Sequence, residues 1–431
     1  MSISENIQKK HKSFGLYSFV SLVVTSVVGA DIYIITSQTA ELTGIQSIWA
    51  WVVCGIFALI IAFCYAQCAN LVPETGGTYI YIEKAFGRFP GFLTGWILFI
   101  SEWFALVVYP LAFLQYIHYF VPASPVLDAV FKIAFILILI AVNIGGTKST
   151  AKVDNVLTIL KVVPLLILII VSGLWVISNG STALAHLGEF KTEPIRNFNE
   201  VLLLVFWAFA GFELSVVPSS EVDRPKKLVP EGLLIGIIFV IIFFILINLS
   251  VFVVLDRDMI AGTQLPLAGA MSFIFQNQNA GLIIIFGGLI SICGIALATV
   301  FELSRLLQKM AKDGYVSRIF AKQAGKENVP IYSVVVPPLV AMVISLFADV
   351  RTIIGFSVVL LAIIYCLTGV ANWKLHSMAG KKQLRYRVVS ILTIVFSLIL
   401  FASGTLVQLA LSLLVIILGV VWYYLKILLH M

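Results

Sequence analysis

Stretches of about twenty apolar residues recur along this chain, and short polar segments separate them. A helix of about 20 apolar residues is long enough to cross the hydrocarbon core of a bilayer. The pattern therefore predicts an all-α polytopic membrane protein with twelve transmembrane helices. The predicted spans are residues 16–42, 47–69, 91–120, 127–145, 155–178, 199–219, 230–255, 281–303, 331–348, 352–373, 388–403 and 405–427.

The amino-acid composition supports this interpretation. Hydrophobic residues make up 61% of the 431 residues and charged residues only 11%, and the mean hydropathy is +1.07. A soluble protein of this length could not hide so much apolar surface from water. This excludes an isolated enzyme domain, a nucleic-acid binder and a secreted disulfide scaffold. The five cysteines all fall within apolar spans and lack metal-ligand spacing, so we expect neither a metal site nor a cofactor.

The positive charges are distributed unevenly between the two sides of the predicted membrane. With the first residues in the cytoplasm, 22 of the 28 Lys and Arg residues fall on the cytoplasmic side and five on the outer side, while Lys161 falls within a span. This bias follows the positive-inside rule for an even number of spans. We therefore expect a multi-pass protein of the cell membrane, specifically a bacterial inner membrane, with both termini in the cytoplasm.

Two spans combine a buried acid with a residue that weakens a helix. The first contains Gly29-Ala30-Asp31 and the sixth contains Gly211-Phe212-Glu213, each about a dozen residues into its span. Matched interruptions of this kind are typical of inverted repeats with discontinuous helices, whose half-helix ends hold the substrate near the membrane midplane. The alternative is that the glycines permit close helix packing and the acids bond to neighbouring helices.

Three loop motifs carry a resemblance to a known family. The loop after the second span has the pattern P-x-x-G-G-x-Y-x-Y, the loop after the sixth has E-x-x-x-P-x-K-x-V-P, and the segment after the eighth has S-R followed by M-A-K-D-G. They read Pro73-Glu74-Thr75-Gly76-Gly77-Thr78-Tyr79-Ile80-Tyr81, Glu221-Val222-Asp223-Arg224-Pro225-Lys226-Lys227-Leu228-Val229-Pro230, and Ser304-Arg305 with Met310-Ala311-Lys312-Asp313-Gly314. In this order they resemble the amino acid–polyamine–organocation transporter superfamily over essentially the whole chain.

The resemblance implies a LeuT-like fold, in which a ten-helix core of two inverted five-helix repeats precedes two accessory helices. Residues 1–15 would form a cytoplasmic tail, 16–178 and 199–373 the two repeats, and 385–427 the accessory helices. A bundle of spans 1, 2, 6 and 7 would rock against a scaffold of spans 3, 4, 8 and 9.

The resemblance also implies roles for residues at the first interruption. Family members bind the substrate carboxylate on a G-[ST]-G stretch of the first helix, where this chain has Gly29-Ala30-Asp31. An ionised Asp31 would repel a carboxylate. Asp31 is therefore protonated, points elsewhere, or faces a cationic part of the substrate.

Three further residues gain roles from the family pattern. Trp207 matches an aromatic gate that can also hold a cation through its ring, and Glu213 matches an acid linked to proton coupling. Lys161 matches a lysine thought to replace the Na⁺ ion of sodium-coupled relatives; the alternative is that it snorkels to the membrane surface. Glu102 lies between apolar neighbours in the third span and should face the interior, either at the substrate or bonded within the bundle.

We therefore predict a secondary active transporter of amino acids or related amines that works by alternating access. We expect it to be Na⁺-independent, to work by proton coupling or exchange, and to favour cationic or amine substrates, with membrane lipid as a partner and a homodimer as a candidate assembly. A channel or receptor-like protein is the alternative; neither an enzyme nor a nucleic-acid partner is expected. The candidate substrate-binding residues are Ser26, Gly29, Ala30, Asp31, Ile32, Glu102, Trp207, Ala210, Gly211, Thr299 and Tyr365, and the candidate coupling residues are Lys161 and Glu213.

Overall fold

The computed structural model describes residues 15–74, 76–145, 147–189, 197–216, 222–325, 328–381 and 383–428. Residues 1–14 of the predicted tail, and Glu221 of the second motif, lie outside these ranges. Within the described residues the regular structure is helical, and one isolated β-bridge joins Ala324 and Val329. The expected all-α architecture is confirmed for this part of the chain.

The helices are numbered here in chain order. The first part of the chain forms α1 (Leu16–Val27), α2 (Ala30–Thr43), α3 (Ser47–Leu71), α4 (Thr78–Phe86), α5 (Arg88–Ile117), α6 (Pro125–Ile144), α7 (Thr147–Ser178) and α8 (Gly180–Glu189). The second part forms α9 (Phe198–Phe209), α10 (Phe212–Ser215), α11 (Pro225–Val254), α12 (Arg257–Ala261), α13 (Pro266–Phe275), α14 (Leu282–Lys312), α15 (Ile331–Ser345), α16 (Val350–Met378), α17 (Leu384–Ala402) and α18 (Leu406–Leu428).

Ten helical segments of the described chain are long and apolar enough to cross a membrane. One of them, Ala30–Leu71, combines α2 and α3, whereas α1 and α15 are shorter apolar helices. Some helices extend beyond the predicted spans: α14 continues to Lys312, although its apolar run was expected to end at residue 303. The apolar run marks only the membrane part of a helix, and residues such as Lys309 and Lys312 continue the helix into water.

The interrupted helices lie at the centre of the bundle. Helix α9 packs against α2, α3 and α16, and α10 packs against α1. Helices α5, α14 and α16 pack around them, while α17 and α18 lie at the outside with many exposed apolar side chains. Small residues permit the closest approaches, because a Cβ atom at Gly236 of α11 would lie 2.6 Å from Val23 of α1. The core is therefore built around α1–α2 and α9–α10.

Two of the family-like motifs meet at the end of the bundle that carries Arg88 and Lys312. The hydroxyl of Tyr79 in α4 donates to Asp313 at 3.2 Å, and Lys309 donates to the same carboxylate at 2.6 Å. Burial and the neighbouring Asp313 carboxylate raise the pKa of Tyr79, so its hydroxyl remains a donor. The loop after α3 is thus fastened to the end of α14.

Candidate substrate site

The first interruption lies between α1 and α2, where the sequence predicts it. Helix α1 ends at Val27, Val28 adopts an extended backbone, and Gly29 precedes the first residue of α2. Carbonyl groups at the end of α1 lose their helical partners because the chain leaves the helix here. One of them, that of Thr25, accepts a hydrogen bond of 2.9 Å from the ammonium group of Lys161.

The second interruption lies between α9 and α10. Ala210 is extended and Gly211 has a φ of +109°, a left-handed conformation that favours glycine. A Cβ atom at Gly211 would lie only 2.2 Å from the carbonyl oxygen of Ser26. The two interruptions therefore touch each other, and the contact leaves no room for a side chain at Gly211.

The acid of each triplet turns back towards its glycine. The backbone N–H of Gly211 donates to Oε2 of Glu213 at 3.0 Å. In the first triplet, a Cβ atom at Gly29 would lie 2.6 Å from Oδ1 of Asp31. Each carboxylate thus lies in the first turn of its own half-helix, at the positive end, where a negative charge is favourable.

Each of these acids also has a second oxygen that is available to another group. Oδ2 of Asp31 and Oε1 of Glu213 are buried and have no hydrogen-bond partner among the described residues. A buried acceptor without a partner is costly, so it is a natural place for a substrate N–H or a proton. The matched oxygens provide two polar contact points beside the two interruptions.

Lys161 of α7 is the buried cation of this region. Its side chain is 2% exposed, so its ammonium group does not snorkel to the membrane surface. The backbone carbonyl of Lys161 accepts a hydrogen bond of 2.9 Å from the hydroxyl of Tyr33 in α2. Lys161 therefore connects α7 to both halves of the first interrupted helix.

The comparisons with known proteins identify the type of molecule to which this site belongs. The family model for amino acid permeases matches residues 14–429, nearly the whole chain. This chain belongs to the amino acid permease family. The expected resemblance to amino acid–polyamine–organocation transporters is confirmed, and the permease is a multi-pass membrane transporter of amino acids rather than an enzyme.

Relatives of the permease come from animals and bacteria. It is 25% identical to the cystine/glutamate transporter of Homo sapiens over 362 residues, covering 82% of this chain and 71% of the relative. It is 28% identical to the serine/threonine exchanger SteT of Bacillus subtilis over 306 residues, covering 70% and 68%. It is 23% identical to the arginine/ornithine antiporter of Latilactobacillus sakei over 411 residues, covering 89% and 85%.

Helices α5, α14 and α16 add further predicted site residues to the permease. Glu102 of α5 is buried, and its carboxyl group interacts with that of Glu213. The Tyr365 hydroxyl of α16 faces the Glu213 carboxylate, and its ring stacks on Phe212 with 6.1 Å between ring centroids. The second interruption thus has two acids and a phenol at one place.

Tyr109 of α5 is a residue of this site that the sequence analysis missed. Its hydroxyl lies 3.3 Å from that of the predicted residue Thr299, and its ring lies 6.4 Å from the ring of Trp207. Tyr109 follows Glu102 by seven positions, so two helical turns place both on the same face of α5. This seven-residue spacing was the signal in the sequence that could have identified Tyr109 as a site residue.

The remaining predicted site residues differ in how far they are buried and in which of their atoms make contacts. Ala30 and Ile32 are buried in the first turn of α2, whereas Ser26, Ala210 and Gly211 stay partly exposed. The hydroxyl of Ser26 donates to the Leu22 carbonyl of its own helix at 2.9 Å. Its side chain is therefore occupied within α1, and its carbonyl oxygen makes the contact with Gly211.

The permease also has a cavity of about 400 Å³ at the end of the bundle opposite Lys312. Gln115 and His118 of α5 and Gln264 of the loop before α13 are among its lining residues, and the predicted site residues are not. Gln115 donates to the Gln264 carbonyl at 2.9 Å. The sequence gives no signal for this cavity, because its walls come from loops and helix ends without a periodic pattern.

Proposed function

We propose that this permease is a Na⁺-independent carrier for amino acids or related amines that bear a positive charge. The observation that supports this is the excess of buried acid at the two interruptions. Asp31, Glu102 and Glu213 are all buried there, and Lys161 is the buried lysine beside them. Desolvated carboxylates favour a cationic ligand or bound protons.

The contacts of Lys161 sharpen this argument. Its ammonium group already bonds to the Thr25 carbonyl, at the end of α1. The negative charge around Glu213 is therefore left for an ammonium or guanidinium group of the substrate, or for a coupled proton. The rings of Trp207 and Tyr109 lie close by and can hold a cation on their faces.

The names of the relatives support exchange but leave the substrate charge open. The three relatives are named for cystine and glutamate, for serine and threonine, and for arginine and ornithine, and two of them are called an exchanger or an antiporter. Since these amino acids differ in charge, the family alone cannot select among them. The acids of this chain favour the cationic class, and exchange is the proposed transport mode. Family membership gives no support to the channel or receptor alternative.

The proposed sodium independence rests on Lys161. A Na⁺ ion would need oxygen ligands, and freed carbonyls such as that of Thr25 are natural candidates. The lysine ammonium occupies this carbonyl in the structure. A fixed cation here removes the need for a bound metal cation.

For the architecture we propose twelve crossings arranged as two inverted five-helix repeats, with two accessory helices. In this scheme α1–α2 corresponds to α9–α10, α3 to α11, α5 to α14, and α6 to α15. The members of each pair pack against each other, which supports a two-fold relation. We place the permease in the cell membrane with both termini in the cytoplasm, because of the Lys and Arg bias.

Counterflow in proteoliposomes tests this function. Vesicles are loaded with unlabelled arginine, agmatine, serine or glutamate, and uptake of labelled arginine is measured with Na⁺ and with choline in its place. We expect trans-stimulation by arginine or agmatine, weak stimulation by serine, none by glutamate, and equal rates in both salts. Glutamate as the best substrate, or strict dependence on Na⁺, would refute the proposal. Uptake without trans-stimulation would instead indicate a channel.

A further inference from the structure

The net charge of this permease comes entirely from its last 82 residues. All 21 Asp and Glu residues lie at or before Asp349, together with 21 of the 28 Lys and Arg residues. The segment from residue 350 to 431 contains seven Lys and Arg residues and no acid, which accounts for the formal charge of +7. Apart from Arg351, which lies two residues after Asp349, the cations of this segment have no acidic residue nearby in the sequence.

Four of these cations form a cluster around the connection between α16 and α17, which we call the cationic cluster: Lys374, Lys381, Arg385 and Arg387. All four are exposed. Within the described part of the chain none of them forms an ion pair, whereas Lys309 pairs with Asp313 and Lys84 with Glu74 at the same end of the bundle. Lys382 belongs to the same stretch of sequence but lies outside the described residues.

Aromatic rings hold the cationic cluster in place. Arg385 lies over the ring of Tyr386 at 4.8 Å and Arg387 lies over that of Trp373 at 6.0 Å. The guanidinium group of Arg385 also donates to the Tyr386 hydroxyl at 2.8 Å. Cation–π contacts orient a guanidinium group without neutralising its charge, so the arginines are positioned but still carry uncompensated charge.

The position of the two arginines is electrostatically unfavourable for the helix itself. Both lie in the first turn of α17, which contains no acid, and Gln383 supplies no side-chain cap. A helix N-terminus favours negative charge and disfavours cations. An external anion at this place would relieve the repulsion.

The surface next to the cluster indicates what kind of molecule carries that anion. Arg387 stands at the top of a stripe of exposed apolar side chains on α17 that follows the spacing of one helix face. The stripe consists of Val388, Ile391, Val395 and Leu398, each between 43% and 53% exposed. In a membrane protein such a stripe faces acyl chains, and a cationic group at its end lies at the level of the headgroups.

We propose that the cationic cluster is a binding site for an anionic phospholipid. The lipid phosphate bonds to Arg385, Arg387 and Lys381, and an acyl chain runs along the apolar stripe of α17. Arginine suits this role because its planar fork can donate two hydrogen bonds to one phosphate. The site is independent of the transported substrate and rests only on the membrane location of the permease.

The other face of α17 connects this lipid site to the transport core. Asn372 of α16 donates to Ser390 of α17 at 3.0 Å and to Gln67 of α3 at 2.7 Å. A lipid that neutralises the first turn of α17 would strengthen the docking of this helix on α16 and α3. Binding should therefore stabilise the folded permease.

The test compares nanodiscs of pure phosphatidylcholine with nanodiscs that also contain phosphatidylglycerol with the same acyl chains. Thermal unfolding and the number of retained lipids, counted by native mass spectrometry, are measured for the wild type and for R385Q/R387Q. The matched control is R318Q/K322Q, which removes two exposed cations from the same end of the bundle. Two further variants keep the test informative if R385Q/R387Q does not fold: the charge-retaining R385K/R387K and the single variant R387Q.

We expect phosphatidylglycerol to raise the unfolding temperature of the wild type and of the control. R385Q/R387Q should lose this gain and bind the lipid roughly 25-fold more weakly, at about fivefold for each cation. R387Q should lose part of the gain, and R385K/R387K should keep most of it. Equal unfolding temperatures in both lipids, or an equal loss in the control, would overturn the proposal. The proposal would also be overturned if inorganic phosphate, added to the protein in detergent, both stabilised it and displaced the lipid. The site would then be one for free phosphate.

Discussion

The two interrupted helices use the same local device but differ in the charges that surround it. In both, a glycine breaks the helix and an acid two residues later lies against that glycine. At the first interruption Lys161 supplies a cation to the end of α1. At the second, Glu213 meets a further acid, Glu102. The first interruption therefore has a cation of its own beside its acid, while the second keeps uncompensated negative charge for a substrate or a proton.

The largest expected effect concerns the place where the two interruptions touch. We expect Gly211→Ala to abolish transport, because its Cβ atom would lie 2.2 Å from the Ser26 carbonyl and its φ is +109°. A left-handed conformation alone costs an alanine about 1–2 kcal/mol. Exchange of labelled substrate in proteoliposomes measures the loss. Gly173→Ala in α7 is the control, since its Cβ atom would meet nothing within 4 Å; equal activity of both variants would show that the contact does not matter.

The second prediction removes the cation of the first interruption. We expect Lys161→Ala to abolish transport, because the Thr25 carbonyl loses its buried partner and the nearby acids lose their compensating charge. The matched control is Lys132→Ala, which also removes a lysine bond of 2.9 Å to a backbone carbonyl, that of Ser345, but away from the site. Transport should persist in this control. Loss of transport in both variants to the same degree would reduce Lys161 to a structural residue.

The local part of this site could be predicted from the sequence, and the long-range part could not. Apolar runs and the Gly-x-acid triplets are local signals, so they indicated a chain of apolar helices and the positions of both interruptions. The bond from Lys161 to Thr25 joins residues 136 positions apart, and the contact of Tyr109 with Thr299 joins residues 190 positions apart. Such contacts depend on how helices pack and on which rotamer each side chain adopts. For the same reason the sequence indicates Asp31 as a site residue but does not reveal that its carboxylate lies against Gly29.

The third prediction separates the two acids. Glu213→Gln should weaken binding of a cationic substrate roughly ten- to hundredfold, the loss of a charge-assisted hydrogen bond. Asp31→Gly restores the family pattern, and a glycine in the first turn of α2 costs the helix about 1 kcal/mol. We expect it to gain affinity for α-carboxylates and to lose affinity for amines by a smaller factor. Competition of arginine, agmatine and serine against labelled arginine measures both effects. Unchanged amine selectivity in both variants would remove the basis for a cationic substrate.

The smallest effect is expected at Ser26, one of the predicted substrate-binding residues beside the first interruption. Its hydroxyl bonds to the Leu22 carbonyl of its own helix, and its backbone carbonyl makes the contact with Gly211. Ser26→Ala keeps that backbone contact and removes only a hydrogen bond within α1. Such bonds within a helix weaken it slightly, so transport should stay within about a factor of two of the wild type. Tyr109→Phe is the informative partner variant, because it removes a hydroxyl that faces Thr299 inside the site. A larger loss for Ser26→Ala than for Tyr109→Phe would mean that the serine hydroxyl turns to the substrate during transport. The end of α1 would then bind substrate with a side chain in addition to Asp31, and the proposed difference between the two interruptions would narrow.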